Sequence, residues 1–281
     1  MLTLGVGLIA ALCWGIHDIC VRYVSQRGGI LPALTTVLIV GSLIMAPVAL
    51  GLGDWSQMSA RAYGLSAASG LAFTLACVGL YKSFGIGPVR LVAPIVGSYP
   101  ALSIAWAAAS GQAVSWDQWL AVFCVIAGVG IVGILTDDED VGGSKRAAML
   151  WALAGAVGFF MAFALGQSAS QAGSEFPVIL VTRLVAVGPV LVLLFASGAR
   201  QMPARSAWPL LALMGLLDCV ALGIVIYAGG MPRPEFAAVA ASTFGMITIL
   251  LAWAFLRERV SPGQWAGVAL AFAAIGYLAL I

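Results

Sequence analysis

The chain reads as an all-α polytopic membrane protein, with ten transmembrane helices arranged as two inverted five-helix repeats. Three observations carry that reading. Ten apolar stretches, each long enough to cross a bilayer, fill almost all of the 281 residues. Only 9% of the residues are charged and 62% are hydrophobic, with a mean hydropathy of +1.08; a soluble domain carries about 25% charged residues. The first half of the sequence also recurs in the second at a nearly constant offset.

Backbone groups in hydrocarbon have no water to bond, so only helices and closed barrels span a bilayer. The apolar runs here are continuous rather than alternating, which excludes barrel strands. With about 20 apolar residues needed per crossing, the spans fall near 2–24, 31–52, 62–84, 88–109, 116–135, 148–171, 176–197, 206–229, 234–256 and 262–281. The first differs from a cleaved signal peptide: it lacks a basic leading region, and polar residues interrupt its second half. Span four holds Pro94 and Pro100, each of which frees a backbone carbonyl, with Gly97, Ser98 and Tyr99 between them. The matching part of span nine reads Ser242-Thr243-Phe244-Gly245. Irregular backbone at membrane depth is tolerated where it lines a cavity, so these two spans are expected to flank a path. Spans five and ten open on capping boxes, Ser115 with Gln118 and Ser261 with Gln264. Pro262 suits a first helical turn, and Pro88 and Pro234 open spans four and nine in the same way. Trp116 and Trp119 fit an outer aromatic belt and Trp265 an inner one.

The repeat is visible residue by residue. Ser25, Gln26, Gly28 and Pro32 recur 145 positions later as Ser170, Gln171, Gly173 and Pro177. At an offset of 146, Tyr81, Pro88, Ser115, Gln118, Trp119 and Gly130 meet Tyr227, Pro234, Ser261, Gln264, Trp265 and Gly276. Residues 1–135 form one repeat and 148–281 the other; the polar stretch 136–147, with four acidic residues, reads as a solvated cytoplasmic linker. A unit of five crossings repeated in tandem enters the membrane from opposite sides, an arrangement found in carriers with a site between the halves. Lys and Arg set the orientation. Arg22, Arg27, Lys82, Arg90, Lys145, Arg146, Arg200, Arg205, Arg257 and Arg259 gather on one side, and only Arg61 and Arg233 on the other. The positive-inside rule places the first group in the cytoplasm and both termini outside, in a multi-pass cell (inner) membrane protein.

Several function classes are set aside. Gly128-Val-Gly-Ile-Val-Gly133 fits a dinucleotide-binding pattern but lies inside a membrane helix, where small residues serve helix packing. Cys13, Cys20, Cys77, Cys124 and Cys219 all fall within spans, in no metal-ligand spacing, so neither a disulfide framework nor a metal or other cofactor is expected. A net charge of +2 gives no reason to expect a nucleic-acid partner. A single histidine with no clustered nucleophile speaks against an intramembrane enzyme.

The chain resembles the drug/metabolite transporter superfamily, EamA type. The resemblance is carried by Arg257-Glu-Arg-Val-Ser-Pro-Gly-Gln-Trp265 before a Gly/Ala-rich last helix, by Gly87-Pro88 and by Cys13-Trp14-Gly15. The first half departs from the pattern, with Gln112 at the position of Glu258 and Leu38 opposite Arg183. The resemblance implies ten helices, alternating access, and mostly export of amino acids, amines, nucleotide precursors or other small metabolites.

Ionisable residues inside a bilayer are functional candidates by default. Here they are His17 and Asp18 in span one, on a face shared with Trp14, then Arg183 in span seven and Asp218 in span eight. His17 and Asp18 suggest a proton-responsive gate, a binding group for an amine, or a local hydrogen-bonded pair. Arg183 and Asp218 suggest binding of a carboxylate and a cation, a buried salt bridge, or a bridge that substrate opens. Ser98, Tyr99, Ser242 and Thr243 either line the path or bond their own helices. Tyr81 and Tyr227, related by the repeat, are either gates at opposite mouths or aromatic-belt residues at span ends, and Pro94 and Pro100 are counted with the gating candidates. Lys82, Arg22 and Arg90 lie near span ends, where snorkelling to the interface is expected. The leading expectation is a secondary-active or facilitative exporter of small polar metabolites such as amino acids, with proton coupling an open question. The alternatives are a carrier of organic cations, quaternary amines or drugs, using Trp14, Phe159, Tyr81 and Tyr99 as cation–π surfaces, and a non-transporting membrane scaffold.

Overall fold

Helices account for nearly all of the computed structural model, which describes residues 2–27, 29–109, 111, 113–137, 141–198, 203–233 and 235–278. The first repeat comprises α1 (Leu2–Arg27), α2 (Ile30–Leu52), α3 (Ala60–Ile86), α4 (Val89–Val96), α5 (Tyr99–Ala109) and α6 (Trp116–Ile134). The second comprises α7 (Lys145–Gln171), α8 (Glu175–Ala196), α9 (Trp208–Tyr227), α10 (Glu235–Ser242), α11 (Phe244–Leu251) and α12 (Pro262–Leu278). Helices α4 and α5 together make the fourth crossing. Helices α10 and α11, extended by a π-helical turn over Ala252–Leu256, make the ninth. Nine crossings among the described residues are long and apolar enough for a bilayer, and α12 supplies a tenth, with 17 described residues. Gly28, Gln112, Asp138, Glu139, Asp140, Arg200 and Pro234, used in the sequence argument, lie outside the described residues.

Helix ends follow from their capping chemistry. Ser59 accepts from the Ala62 amide at 3.1 Å to start α3. Gln118 accepts from the Ser115 amide at 2.9 Å, and Gln264 from the Ser261 amide at 2.9 Å, completing the two capping boxes. The break in the fourth crossing sits at Gly97–Ser98, between the two prolines: Pro94 lies within α4 and Pro100 in the first turn of α5. The ninth crossing breaks at Thr243.

The two repeats are inverted. Helices α6 and α12, fifth in their copies, run antiparallel. Tyr277, near the end of α12, donates to Asp117 at the start of α6 at 2.8 Å. Gln264, at the start of α12, donates to the Leu135 carbonyl at the end of α6 at 3.0 Å. Packing obeys the same exchange. Helix α3 packs on α7 and α8, while α9 packs on α1 and α2. A Cβ at Gly70 would meet the Thr182 carbonyl at 2.5 Å and Val185 at 2.8 Å; one at Gly215 would meet Val40 at 2.7 Å and the Val37 carbonyl at 3.0 Å. Gly70, Val37 and Val40 map onto Gly215, Thr182 and Val185 at the offset of 145. Close helix approach through small residues is the main way helices associate in lipid, where burial from water gives little drive. Gly128 has the same role against Gly267, whose carbonyl oxygen would lie 2.5 Å from an added Cβ.

Gly70→Val and Gly215→Val are each expected to destabilise by about 1–3 kcal/mol through overpacking. Thermal unfolding in detergent should show a midpoint several degrees lower for both. Gly64→Val, at a position with nothing within 4 Å, should leave it in place. Equal midpoints for all three would disprove the tight crossings.

Candidate functional site

Four helices bring the ionisable residues of the spans to one place. Arg183 of α8 is fully buried (0% exposed), and Asp218 of α9 is 3% exposed. Their side chains form an ion pair, with Arg183 Nη2 3.0 Å from Asp218 Oδ2. The other carboxylate oxygen accepts from Trp14 Nε1 of α1 at 3.2 Å. The guanidinium lies against α2, where Gly41 gives it a seat: a Cβ there would stand 1.8 Å from Nη2. The pairing is an ion contact without in-line hydrogen bonds, so Arg183 Nε, Nη1 and Nη2 are buried donors with no acceptor in hydrogen-bonding geometry among the described residues. Leaving such donors unsatisfied is expensive, and a carboxylate is the group that relieves it best.

One turn along α1, His17 Nδ1 lies 3.2 Å from Asp18 Oδ1, and both residues are buried. Among the described residues, His17 Nε2, Asp18 Oδ2 and the Tyr81 hydroxyl have no hydrogen-bond partner. The His17 and Tyr81 rings are 6.2 Å apart. This corrects the expected place of Tyr81: it is 1% exposed and faces α1 inside the bundle, because α3 packs between α1 and α7. Its repeat mate Tyr227 does lie at the surface, 47% exposed and stacked on Phe176 at 5.9 Å. The two tyrosines therefore do not occupy opposite mouths.

An aromatic cluster fills the space beside the ion pair. Trp14 stacks on Phe163 at 5.3 Å and contacts Phe159 at 5.8 Å and Phe244 at 6.1 Å. Tyr99 meets Phe163 edge-on at 5.2 Å and bonds the Ala238 carbonyl through its hydroxyl, joining the two broken crossings. Tyr99 and Phe163 also form the inner wall of a cavity of about 410 Å³, which reaches the surface past Pro100, Ser103, Trp106 and Arg233. A continuous series of contacts thus runs from cavity to Phe163, Trp14, Asp218 and Arg183. Phe163 was missed in the sequence, and Phe244 was named only as part of the irregular stretch of span nine. Phe163 stands four residues after Phe159, which was the available signal.

The remaining candidates bond locally. Ser98 donates to the Ile95 carbonyl, Ser242 to that of Val239 and Thr243 to that of Ala240, at 2.7, 2.6 and 2.7 Å. Each bonds a carbonyl of its own turn beside a helix break. Arg22 and Arg90 do not snorkel. Both are buried around Glu258, at 3.5 and 3.9 Å, because the chain after α11 delivers a carboxylate to them. Lys82 is the one that sits over a ring, 4.1 Å from the centre of Trp151.

Sequence and fold comparisons agree with this architecture. Residues 1–134 and 146–280 each match the family model described as EamA-like transporter family. No curated protein sequence matches the chain. A crystal structure, described only as that of a protein, superposes with a TM-score of 0.71 over 99% of this chain and 96% of the other. At 15% identity that likeness concerns the fold alone.

Asp218→Leu alone should strand the Arg183 charge, and Arg183→Met alone the Asp218 charge, each destabilising by about 3–5 kcal/mol. The double variant should recover a large part of the loss. Thermal unfolding of all four proteins checks it, and additive losses would show that the two side chains are not coupled.

Proposed function

The chain belongs to the EamA-like transporter family, within the drug/metabolite transporter superfamily, and from that premise we propose that it exports small polar metabolites, amino acids foremost, by alternating access. It is a multi-pass membrane transporter rather than an enzyme or a passive scaffold. The observation that carries the substrate class is the Arg183–Asp218 pair, buried at the inner end of the aromatic series with guanidinium donors left over. A zwitterion complements both halves of that pair. Its carboxylate answers the free donors of Arg183, and its ammonium group meets Asp218 and the faces of Trp14 and Phe163. Substrate then substitutes for the internal ion pair instead of adding an uncompensated charge, which keeps the exchange affordable in a low-dielectric interior.

The cavity of about 410 Å³ suits a ligand of amino-acid size. With the basic side in the cytoplasm, this cavity lies on the outer side, both termini face outward, and rocking of one repeat against the other moves the site between faces. His17 and Asp18 are the groups best placed to couple proton movement to that motion, since their unpartnered atoms lie inside the bundle. The aromatic cluster favours a second reading, a carrier of quaternary amines, which needs Asp218 and the rings but not Arg183.

Proteoliposome uptake with a panel of amino acids and quaternary amines separates these readings. Losing a charge-assisted contact of about 1.5–3 kcal/mol raises KM roughly 10- to 100-fold, so Arg183→Ala should suppress amino-acid uptake to that extent. If Arg183→Ala spares all flux while Asp218→Asn abolishes it, the amine reading replaces the zwitterion reading. For coupling, Asp18→Asn should flatten the pH dependence of uptake; an unchanged pH profile would remove this pair from the mechanism.

A further inference from the structure

The end of the bundle opposite the cavity is held by a charged cluster that the transport site does not use. Glu258 follows the π turn after α11, and its carboxylate lies over the first turn of α4. The Val89 amide donates to Oε1 at 3.1 Å and to Oε2 at 3.0 Å, and the Arg90 amide donates to Oε2 at 3.5 Å. Arg22 Nε is 3.5 Å from Oε1 and Arg90 Nη1 is 3.9 Å from Oε2. Arg22 is itself anchored: it donates to the Phe84 carbonyl. Two buried guanidinium groups and two helix amides therefore converge on one carboxylate, which arrives from 168 residues further along the chain. The segment that brings it is irregular. The π turn at Ala252–Leu256 is followed by Arg257 at φ 55°, a left-handed conformation that a side-chain-bearing residue adopts at a cost.

The other repeat has none of this charge. Arg22 and Arg90 map onto Gln167 and Phe236. Gln167 spends its amide on the Val225 carbonyl at 3.1 Å, and both residues line the cavity of about 410 Å³. One end carries two arginines around a carboxylate, and the equivalent end has a glutamine and a phenylalanine in their places.

We propose that Arg22, Arg90 and the first-turn amides of α4 form a carboxylate-binding site at the cytoplasmic mouth, which Glu258 fills as a tethered stand-in for substrate. While Glu258 is seated the mouth is shut. When it swings out about Arg257, the same donors receive the carboxylate of the incoming zwitterion, so the two arginines exchange one anion for another. The substrate's identity and the word cytoplasmic rest on the transport reading above; the site itself does not.

Binding to the purified full-length chain in detergent tests this without any transport assay. Removing Glu258 frees the α4 amides from a charge-assisted bond, so Glu258→Ala should exchange amide hydrogen in the peptide spanning residues 87–94 about tenfold or more faster than the unaltered protein. Sodium acetate should reverse that gain and raise the unfolding midpoint of Glu258→Ala, where sodium chloride at equal ionic strength does neither. The unaltered protein should not respond to acetate. Arg22→Gln placed in the Glu258→Ala background should abolish the acetate effect. If Glu258→Ala does not fold, Glu258→Gln keeps the side-chain volume and should show the same acetate-specific protection. Unchanged exchange in the Glu258 variants overturns the plug. Faster exchange that acetate and chloride affect alike, or an acetate effect that survives Arg22→Gln, overturns the carboxylate site. A protein that binds acetate in this way yet moves no amino acid would refute the transport reading while leaving this one standing.

Discussion

Lipid offers no water to a stray charge, and that single constraint organises the interior of this protein. Arg183 is buried completely, so it needs Asp218 against it, and Asp218 in turn needs Trp14. The guanidinium fits only because α2 presents a glycine at that level. Beside the helix breaks at Gly97–Ser98 and at Thr243, hydroxyls bond backbone carbonyls of their own turns. The polar parts of the molecule are therefore concentrated where protein surrounds them, between the broken crossings and along α1, while the faces of α2, α6 and α8 that carry Leu43, Phe123 and Phe195 remain apolar and exposed.

Much of the architecture was legible because its causes are local. A serine three residues before a glutamine marks a helix start, two prolines bracket an interruption, and small residues in a span mark a tight crossing. Each depends on neighbours within one or two turns, and each was found where the sequence put it. The candidate site was legible by type and not by geometry. Arg183 and Asp218 stand out as charges within spans, but their contact depends on how α8 and α9 cross, which no short pattern encodes. Tyr81 was misplaced for a related reason: its position near a span end matches a belt residue, and only the burial of α3 between α1 and α7 turns it inward. Arg22 and Arg90 were read as interfacial because nothing nearby in sequence answers their charge; their partner is Glu258.

Duplication explains how such a site arises. The scaffold glycines, Gly70 and Gly215, keep their mutual geometry in both copies, whereas the chemistry has diverged between them. Trp14 faces Phe159, Asp18 corresponds to Phe163, Leu38 to Arg183 and Phe73 to Asp218 at the constant offset. One copy supplies the tryptophan and the acid of α1, and the other supplies the arginine and the acid of the ion pair. Neither half contains a complete polar set, so the site exists only where the halves meet.

The difference between the two ends of the bundle has a thermodynamic meaning. If the copies were identical, inward-facing and outward-facing shapes would be related by a two-fold rotation and equal in free energy, each holding half the molecules. Every residue that distinguishes the copies lifts that degeneracy. A net preference of about 2.7 kcal/mol, within reach of a few buried ionic contacts, turns an even division into roughly ninety-nine to one. On the alternating-access reading proposed above, the asymmetric pair of arginines would act as a ballast that fixes which way an idle molecule points.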